Sequence, residues 1–341
     1  MKDNFNRRDF IKATAVTGLS LGLTGNFSSL YGQNNQLKGK RVGIIGLDTS
    51  HAIAFAKTLN AENAAPDYDG FKVVAAYPQG SKDIQSSVDR VPGYIKQMKE
   101  INVEIVDSIK DLLKKVDVVL LESNDGRVHL EQALPVLKAG KRMFIDKPIA
   151  ASLADTIAIF EASEKYKTPI FSSSSLRYME SAQDVVKGKI GKVFGADTYS
   201  PAHLEKTHPD LLWYGIHGVE TLFTVMGAGC KSVSRTHTEN TDVVVGTWND
   251  GRIGTFRGTR TGKSSYGGTV YGEKGNLTLG PFGGYNPLLK EIIEFFKTGV
   301  PPVSSQETIE IVAFTVAADE SKNNGGNAVD ISSLIQKAKL K

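Results

Sequence analysis

Six short apolar runs, each separated from the next by a stretch of helical length and period, fill the first half of this chain. Residues 41–46, 71–77, 103–106, 117–121, 142–145 and 169–171 read as strands, and 50–59, 91–99, 108–115, 128–139 and 153–166 read as helices. In the first helix Ala52, Phe55, Ala56 and Leu59 share one face, and Gly140 closes the fourth as helix ends often require. Strict alternation at this spacing predicts a parallel, doubly wound sheet of the Rossmann type. After the serine run 172–175 the grammar changes. One amphipathic helix, 214–226, is followed by strands at 232–236, 243–247, 252–256, 268–271 and 276–279 with no helices between them, and Asn249-Asp250-Gly251 is a hairpin turn. That predicts an α+β second domain with a mostly antiparallel, open sheet. The division expected is therefore an α/β domain over 38–175, an α+β domain over 176–304, and a C-terminal helix and tail, 305–341, packing back on the junction. The helices at 287–297 and 307–322 are expected to cross it.

The N-terminus reads separately. Asn6-Arg7-Arg8-Asp9-Phe10-Ile11-Lys12, followed by the weakly apolar run 13–23, has the paired arginines, hydrophobe and lysine of a twin-arginine export signal occupying 1–32. Thr14, Thr17 and Ser20 make that run too short and too polar to span a bilayer, so no membrane association is expected after cleavage. The expected location is periplasmic, or otherwise exported by that route. The leader carries half of the formal charge of +4, and the remaining basic residues are scattered, which excludes a nucleic-acid surface. A single cysteine, Cys230, excludes an internal disulfide framework and a cysteine-based zinc site.

Asp146-Lys147-Pro148 follows the fifth strand directly. Open α/β sheets bind ligands outside the carboxyl ends of their strands, and the proline ring ends the strand there, so Lys147 faces the binding crevice. It is the foremost candidate for chemistry. With Trp213-Tyr214-Gly215-Ile216-His217, and with Arg177 in Leu176-Arg177-Tyr178, this motif resembles the glucose-fructose oxidoreductase, inositol dehydrogenase and rhizopine catabolism (Gfo/Idh/MocA) family over nearly everything after about residue 38.

The resemblance implies an NAD-dependent oxidoreductase, with NADP open, acting on a small carbohydrate, and a homo-oligomer formed through the exposed face of the second sheet. It assigns Lys147 and His217 to catalysis. It assigns Gly46, Asp48, Thr49, Ser50, His51, Tyr77, Ser81, Ser123, Asn124, His129 and Asp146, with Lys147, to the cofactor. Arg177, Tyr178, Trp213 and Tyr214 are expected to line the sugar site, and His203 and His208, in a loop expected to overhang the crevice, to bind sugar hydroxyls.

Departures from the family pattern are specific. Gly46-Leu47-Asp48-Thr49-Ser50-His51 keeps only the first glycine of G-x-G-x-x-G, and Asp48 is expected to turn away and cap the helix, leaving its N-terminal N–H groups to an anion. The second strand ends in Tyr77-Pro78-Gln79-Gly80-Ser81-Lys82, without the acidic residue that binds ribose, so Ser81 and Lys82 can tolerate a 2′-phosphate. Trp213 stands where the family has an aspartate four residues before the histidine.

Hydride transfer from a sugar carbon requires a base at its hydroxyl, and a lysine beside a cationic nicotinamide ring suits that task. Export adds that the cofactor is loaded inside and kept. Retention implies a closed cycle, either of two substrates in turn or of one sugar transiently oxidised, cleaved or epimerised, and reduced again. That redox-neutral glycoside chemistry is one alternative reading, and a non-catalytic carbohydrate-binding descendant is the other. No metal is expected, because His203, His208, His217 and Glu220 do not follow a recognised ligand spacing.

Overall fold

The computed structural model describes residues 39–263 and 265–340, so the twin-arginine segment lies outside the described residues. The first domain runs β1 (Arg41–Ile45), α1 (Ser50–Asn60), β2 (Lys72–Tyr77), α2 (Gln85–Glu100), β3 (Glu104–Ile105), α3 (Ile109–Lys115), β4 (Val118–Leu121), α4 (His129–Lys138), β5 (Met143–Ile145), α5 (Leu153–Lys165) and β6 (Ile170–Ser172). The strands pair in parallel in the order β3-β2-β1-β4-β5-β6, which reverses direction of winding beside β1. Every residue of β4, β5 and β6 is buried, as continuous apolar runs covered on both faces should be. One helix is longer than its periodicity indicates: α2 starts at Gln85 and runs through Pro92, so its first turns lie before the expected start.

The second domain continues with α6 (Glu180–Val186), β7 (Val193–Pro201), α7 (Asp210–Trp213), α8 (Ile216–Met226), β8 (Cys230–His237), β9 (Thr241–Trp248), β10 (Ile253–Thr259), β11 (Gly267–Gly272), β12 (Gly275–Leu279), α9 (Asn286–Thr298), α10 (Ser305–Asn323), β13 (Val329–Asp330) and α11 (Ile331–Lys339). Its sheet has the order β12-β11-β7-β10-β9-β8-β13. Pairing is antiparallel except between β7 and β10, which run parallel at the centre. The central strand β7 is absent from the sequence-based expectation for a physical reason. Its inward face is small or polar, with Ala196, Thr198 and Ser200 buried, while Phe194 and Tyr199 point outward and stay exposed. Hydrophobicity is inverted across the strand.

Helix α9 corrects the expected domain boundary at residue 304. Leu288, Leu289, Ile292, Ile293, Phe295 and Phe296 pack into the core of the first domain with Val42, Phe55, Phe71, Phe144 and Phe171. Phe171 and Phe295 meet edge to face at 4.9 Å, and Arg142 Nη1 donates to the carbonyl of Lys297 at 2.9 Å at the end of α9. Each such side chain contributes about 1.5–3 kcal/mol on burial, so α9 belongs energetically to the domain that it returns to. Helix α10 covers the inner face of the second sheet and reaches α5, which places it at the junction. Among the described residues, no helix is long and apolar enough to cross a membrane.

Candidate active site

Pairing of β4 with β5 puts Leu121 opposite Ile145, so the next residues, Glu122 and Asp146, emerge side by side at the carboxyl edge of the sheet. Their backbones are fixed there, since Glu122 N donates to Ile45 O at 2.7 Å and Asp146 N to Leu121 O at 2.8 Å. Lys147 follows, partly exposed, before a cis bond to Pro148. Across the crevice the first turn of α1 brings His51, whose Nδ1 lies 3.1 Å from Asp146 Oδ1 and 3.9 Å from Glu122 Oε2. Burial and the charge of Asp146 push the Glu122 carboxyl well up. Burial acts the same way on Asp146, yet His51 and Lys147 hold it down at about 2.

The turn into α1 is built around Gly46, at φ +88°, where a Cβ would lie 2.4 Å from Ser123 N. Only glycine fits. Thr49 is the N-cap, its Oγ1 accepting from Ala52 N at 3.4 Å. Asp48 does not cap the helix as expected. It is fully buried and turns the other way, accepting from Asn124 N at 2.8 Å, Ser87 Oγ at 2.7 Å and Ser81 N at 3.4 Å. Ser50 lies 3.1 Å from the Tyr285 hydroxyl, Ser123 Oγ donates to Gln132 at 2.7 Å, and Tyr77 donates to Gln79. His129 is not in the crevice. It is fully buried, with Nε2 2.7 Å from Ser123 O and Nδ1 3.1 Å from Ile149 O, and braces β4 against the turn after β5.

The second domain contributes a wall of rings. Tyr285 meets His51 edge-on at 4.5 Å, Phe282 meets Tyr285 at 5.7 Å, and Tyr266 bridges Phe282 to His217 at 6.2 and 5.9 Å. Tyr214 then meets His217 at 5.1 Å and His203 at 5.3 Å, and its hydroxyl lies 3.1 Å from that of Tyr266. His217 Nδ1 is 2.8 Å from Ser174 Oγ, so the serine run supplies the polar partner that Trp213 does not. Burial, with the charges of Lys147 and His51, pushes the His217 imidazole well below its ordinary range and keeps it neutral at pH 7.

Three expected sugar-binding residues are engaged elsewhere. Arg177 is buried, with Nε donating to Glu220 at 2.9 Å and Nη2 to Glu307 at 2.6 Å, and so joins α8 to α10. His208 is buried 3.4 Å from Asp125, and its ring meets that of Trp213 at 4.6 Å, tilted by 48°. Burial opposes ionisation of Asp125, but hydrogen bonds from His208 and Arg127 hold its carboxyl low. Tyr178 packs against the first domain's core. His203 is exposed and His208 is occupied, so with His217 they do not converge.

Four participants escaped the sequence reading. Tyr266, Phe282 and Tyr285 sit among glycines in Gly267-Gly268 and Gly283-Gly284, and large aromatics in glycine-rich loops were a usable signal. Glu122, a charge ending a buried strand, was another.

Comparison with known proteins agrees with this architecture. Residues 40–173 match the model of GFO_IDH_MocA, described as an oxidoreductase family with an NAD-binding Rossmann fold. Similar solved structures include a probable dehydrogenase from Thermotoga maritima, at 19% identity and a TM-score of 0.70 over 86% of this chain and 99% of that one. Myo-inositol 2-dehydrogenase from Lactobacillus plantarum gives 17% and 0.69 over 86% and 99%. Myo-inositol dehydrogenase from Lactobacillus casei, in complex with NAD(H) and myo-inositol, gives 18% and 0.68 over 85% and 96%. A search of curated proteins finds no match. Strand order, the Gly46 turn and the crevice beside Lys147 fit the frame of an NAD site. At the phosphate turn, Asp48 holds the amides of Asn124 and Ser81 that would otherwise face an anion.

Proposed function

We propose, for a chain that through residues 40–173 belongs to the Gfo/Idh/MocA oxidoreductase family, that it is an NAD(P)-dependent dehydrogenase of a sugar, sugar derivative or glycoside with Lys147 as its acid/base. The observation that carries this reading is the position of Lys147, the partly exposed amine at the carboxyl edge of the sheet. Its charge reaches His217, Glu122 and Asp146. The aromatic wall opposite supports a carbohydrate, because tyrosine and histidine rings offer an apolar face to sugar C–H bonds and a polar edge to hydroxyls.

When bound, the dinucleotide supplies the hydride acceptor. The Gly46 turn, the start of α1 and the Ser123-Asn124 loop would hold it. Lys147 takes the proton of the reacting hydroxyl and carries it to solvent. Neutral His217, oriented by Ser174, hydrogen-bonds the adjacent hydroxyl and fixes which carbon faces the cofactor. Export through the twin-arginine motif, with the cofactor retained, completes the proposal. The outer face of the second sheet, where Phe194, Tyr199, Ile253 and Tyr271 are 38–54% exposed, is the surface for a homo-oligomer.

A panel of inositols, hexoses and methyl glycosides tests the reading by absorbance of reduced nicotinamide. At least one polyol or sugar is expected to give a time-dependent rise with NAD+ or NADP+. No rise with any member, and none in the protein's own bound nucleotide, rejects net dehydrogenation.

A further inference from the structure

We propose that His51, Glu122 and Asp146 bind one divalent transition-metal ion at the carboxyl edge of the first sheet. Among the described residues this is the group in which three histidine or acidic side chains offer ligand atoms within 4.8 Å of one another. It stands on geometry and not on the dehydrogenase reading.

The three ligands come from rigid elements. Glu122 and Asp146 extend from neighbouring strands through backbone hydrogen bonds at 2.7 and 2.8 Å, and His51 comes from the first turn of a capped helix. Two ligands bound at about 2.0–2.2 Å to one ion stand about 3.0–3.6 Å apart, tetrahedral or octahedral. The separations of 3.1 and 3.9 Å from His51 Nδ1 fall in or near that range, and all three ligand atoms lie within 4.8 Å of one another.

An independent observation points to a missing ligand. Glu122 Oε1 and Asp146 Oδ2 have no hydrogen-bond partner, although both residues are 0% exposed. A fully buried carboxylate oxygen without a donor is costly, and a cation held by the two carboxyl groups offsets that cost. Thr49 Oγ1, 3.4 Å from Glu122 Oε2, is the neighbouring hydroxyl donor.

The donor set selects the class of ion. One imidazole and two carboxylates, without thiolate, suit Zn²⁺ or Mn²⁺ better than Ca²⁺ or Cu⁺. Two carboxylates bring the negative charge that a divalent cation cancels, and an imidazole nitrogen completes the set. Tyr285, edge-on at 4.5 Å, and Phe55 at 6.0 Å pack against the His51 ring.

Full-length protein stripped with chelator, then titrated with Zn²⁺, Mn²⁺ or Mg²⁺ while thermal unfolding is followed, tests the site alongside Glu122→Gln and Asp146→Asn. Wild type is expected to unfold at higher temperature with Zn²⁺ or Mn²⁺ and to retain about one equivalent after gel filtration. Both variants replace a buried charge by an isosteric amide, so they are expected to fold, with metal affinity at least tenfold lower. No response of wild type to any of the three ions overturns the proposal, and so does an equal response in wild type and Glu122→Gln. A metal-free Glu122→Gln that unfolds at higher temperature than wild type, beside a wild type indifferent to metal, assigns the cluster to shared protons instead.

Discussion

Lys147→Ala is expected to lower kcat by about 10²–10⁴-fold, the range over which a positioned acid/base normally acts, while nucleotide occupancy stays nearly unchanged. The side chain is partly exposed and fills no core, so its loss leaves the sheet edge intact. The pinning of Asp146 N on Leu121 O, at 2.8 Å, does not depend on it. What disappears is the amine that follows β5. Because the missing function is proton transfer, a small primary amine added to the variant is expected to restore part of the rate, whereas no amine restores a misfolded turn. Stopped-flow absorbance of reduced nicotinamide, with occupancy measured on the same preparation, separates the outcomes. Loss of turnover and nucleotide together would make the lysine structural.

Arg235→Met is expected to destabilise the second domain by about 3–5 kcal/mol, read as a lowered urea midpoint at unchanged slope. Arg235 is fully buried and binds three aspartates, Asp242 at 2.7 Å, Asp319 at 2.5 Å and Asp210 at 3.2 Å. They belong to β9, α10 and α7, so one guanidinium holds the helix that leads to His217 against the sheet. Methionine fills similar volume, which confines the cost to carboxylates left uncompensated. Arg260 still reaches Asp242, and Lys322 still reaches Asp210 at 2.7 Å. Asp319 has no such substitute, and burial already pushes its carboxyl up to about 6 in the intact network. Without Arg235 it is expected to hold its proton to still higher pH. The folded variant then binds protons that the unfolded chain releases near the ordinary carboxylate value, so its deficit is expected to shrink as pH falls from 8 to 5. A deficit independent of pH would place the cost in packing instead.

The first domain was legible because its physics is local. Each strand is an apolar run buried on both faces, and each helix shows its period, so six strands and five helices follow from pattern alone. Lys147 was legible for the same reason, since a motif at a strand end has one possible address in this fold. The second domain hid its central strand, whose large side chains, Phe194 and Tyr199, face outward. Helix α9 was legible as a helix crossing the junction, but the apolar partners of its face, more than a hundred positions earlier, were not. Among site residues, Arg177 and His208 looked like free polar groups until Glu220, Glu307 and Asp125 were brought to them by the fold. The pairing of His51 with Asp146 spans 95 residues, and no local spacing announces it. Asp48 shows the reverse case. The cap falls one residue later, on Thr49, and three donors converging from distant loops take the Asp48 carboxylate.

Native mass spectrometry of the purified full chain, before and after addition of NADH and NADPH, tests the central claim most directly. The expected spectrum shows an oligomer that carries one nicotinamide dinucleotide per subunit, either as purified or after addition. Subunits that remain free of nucleotide in both spectra would contradict it and leave Asp48 as the residue that closes the phosphate turn.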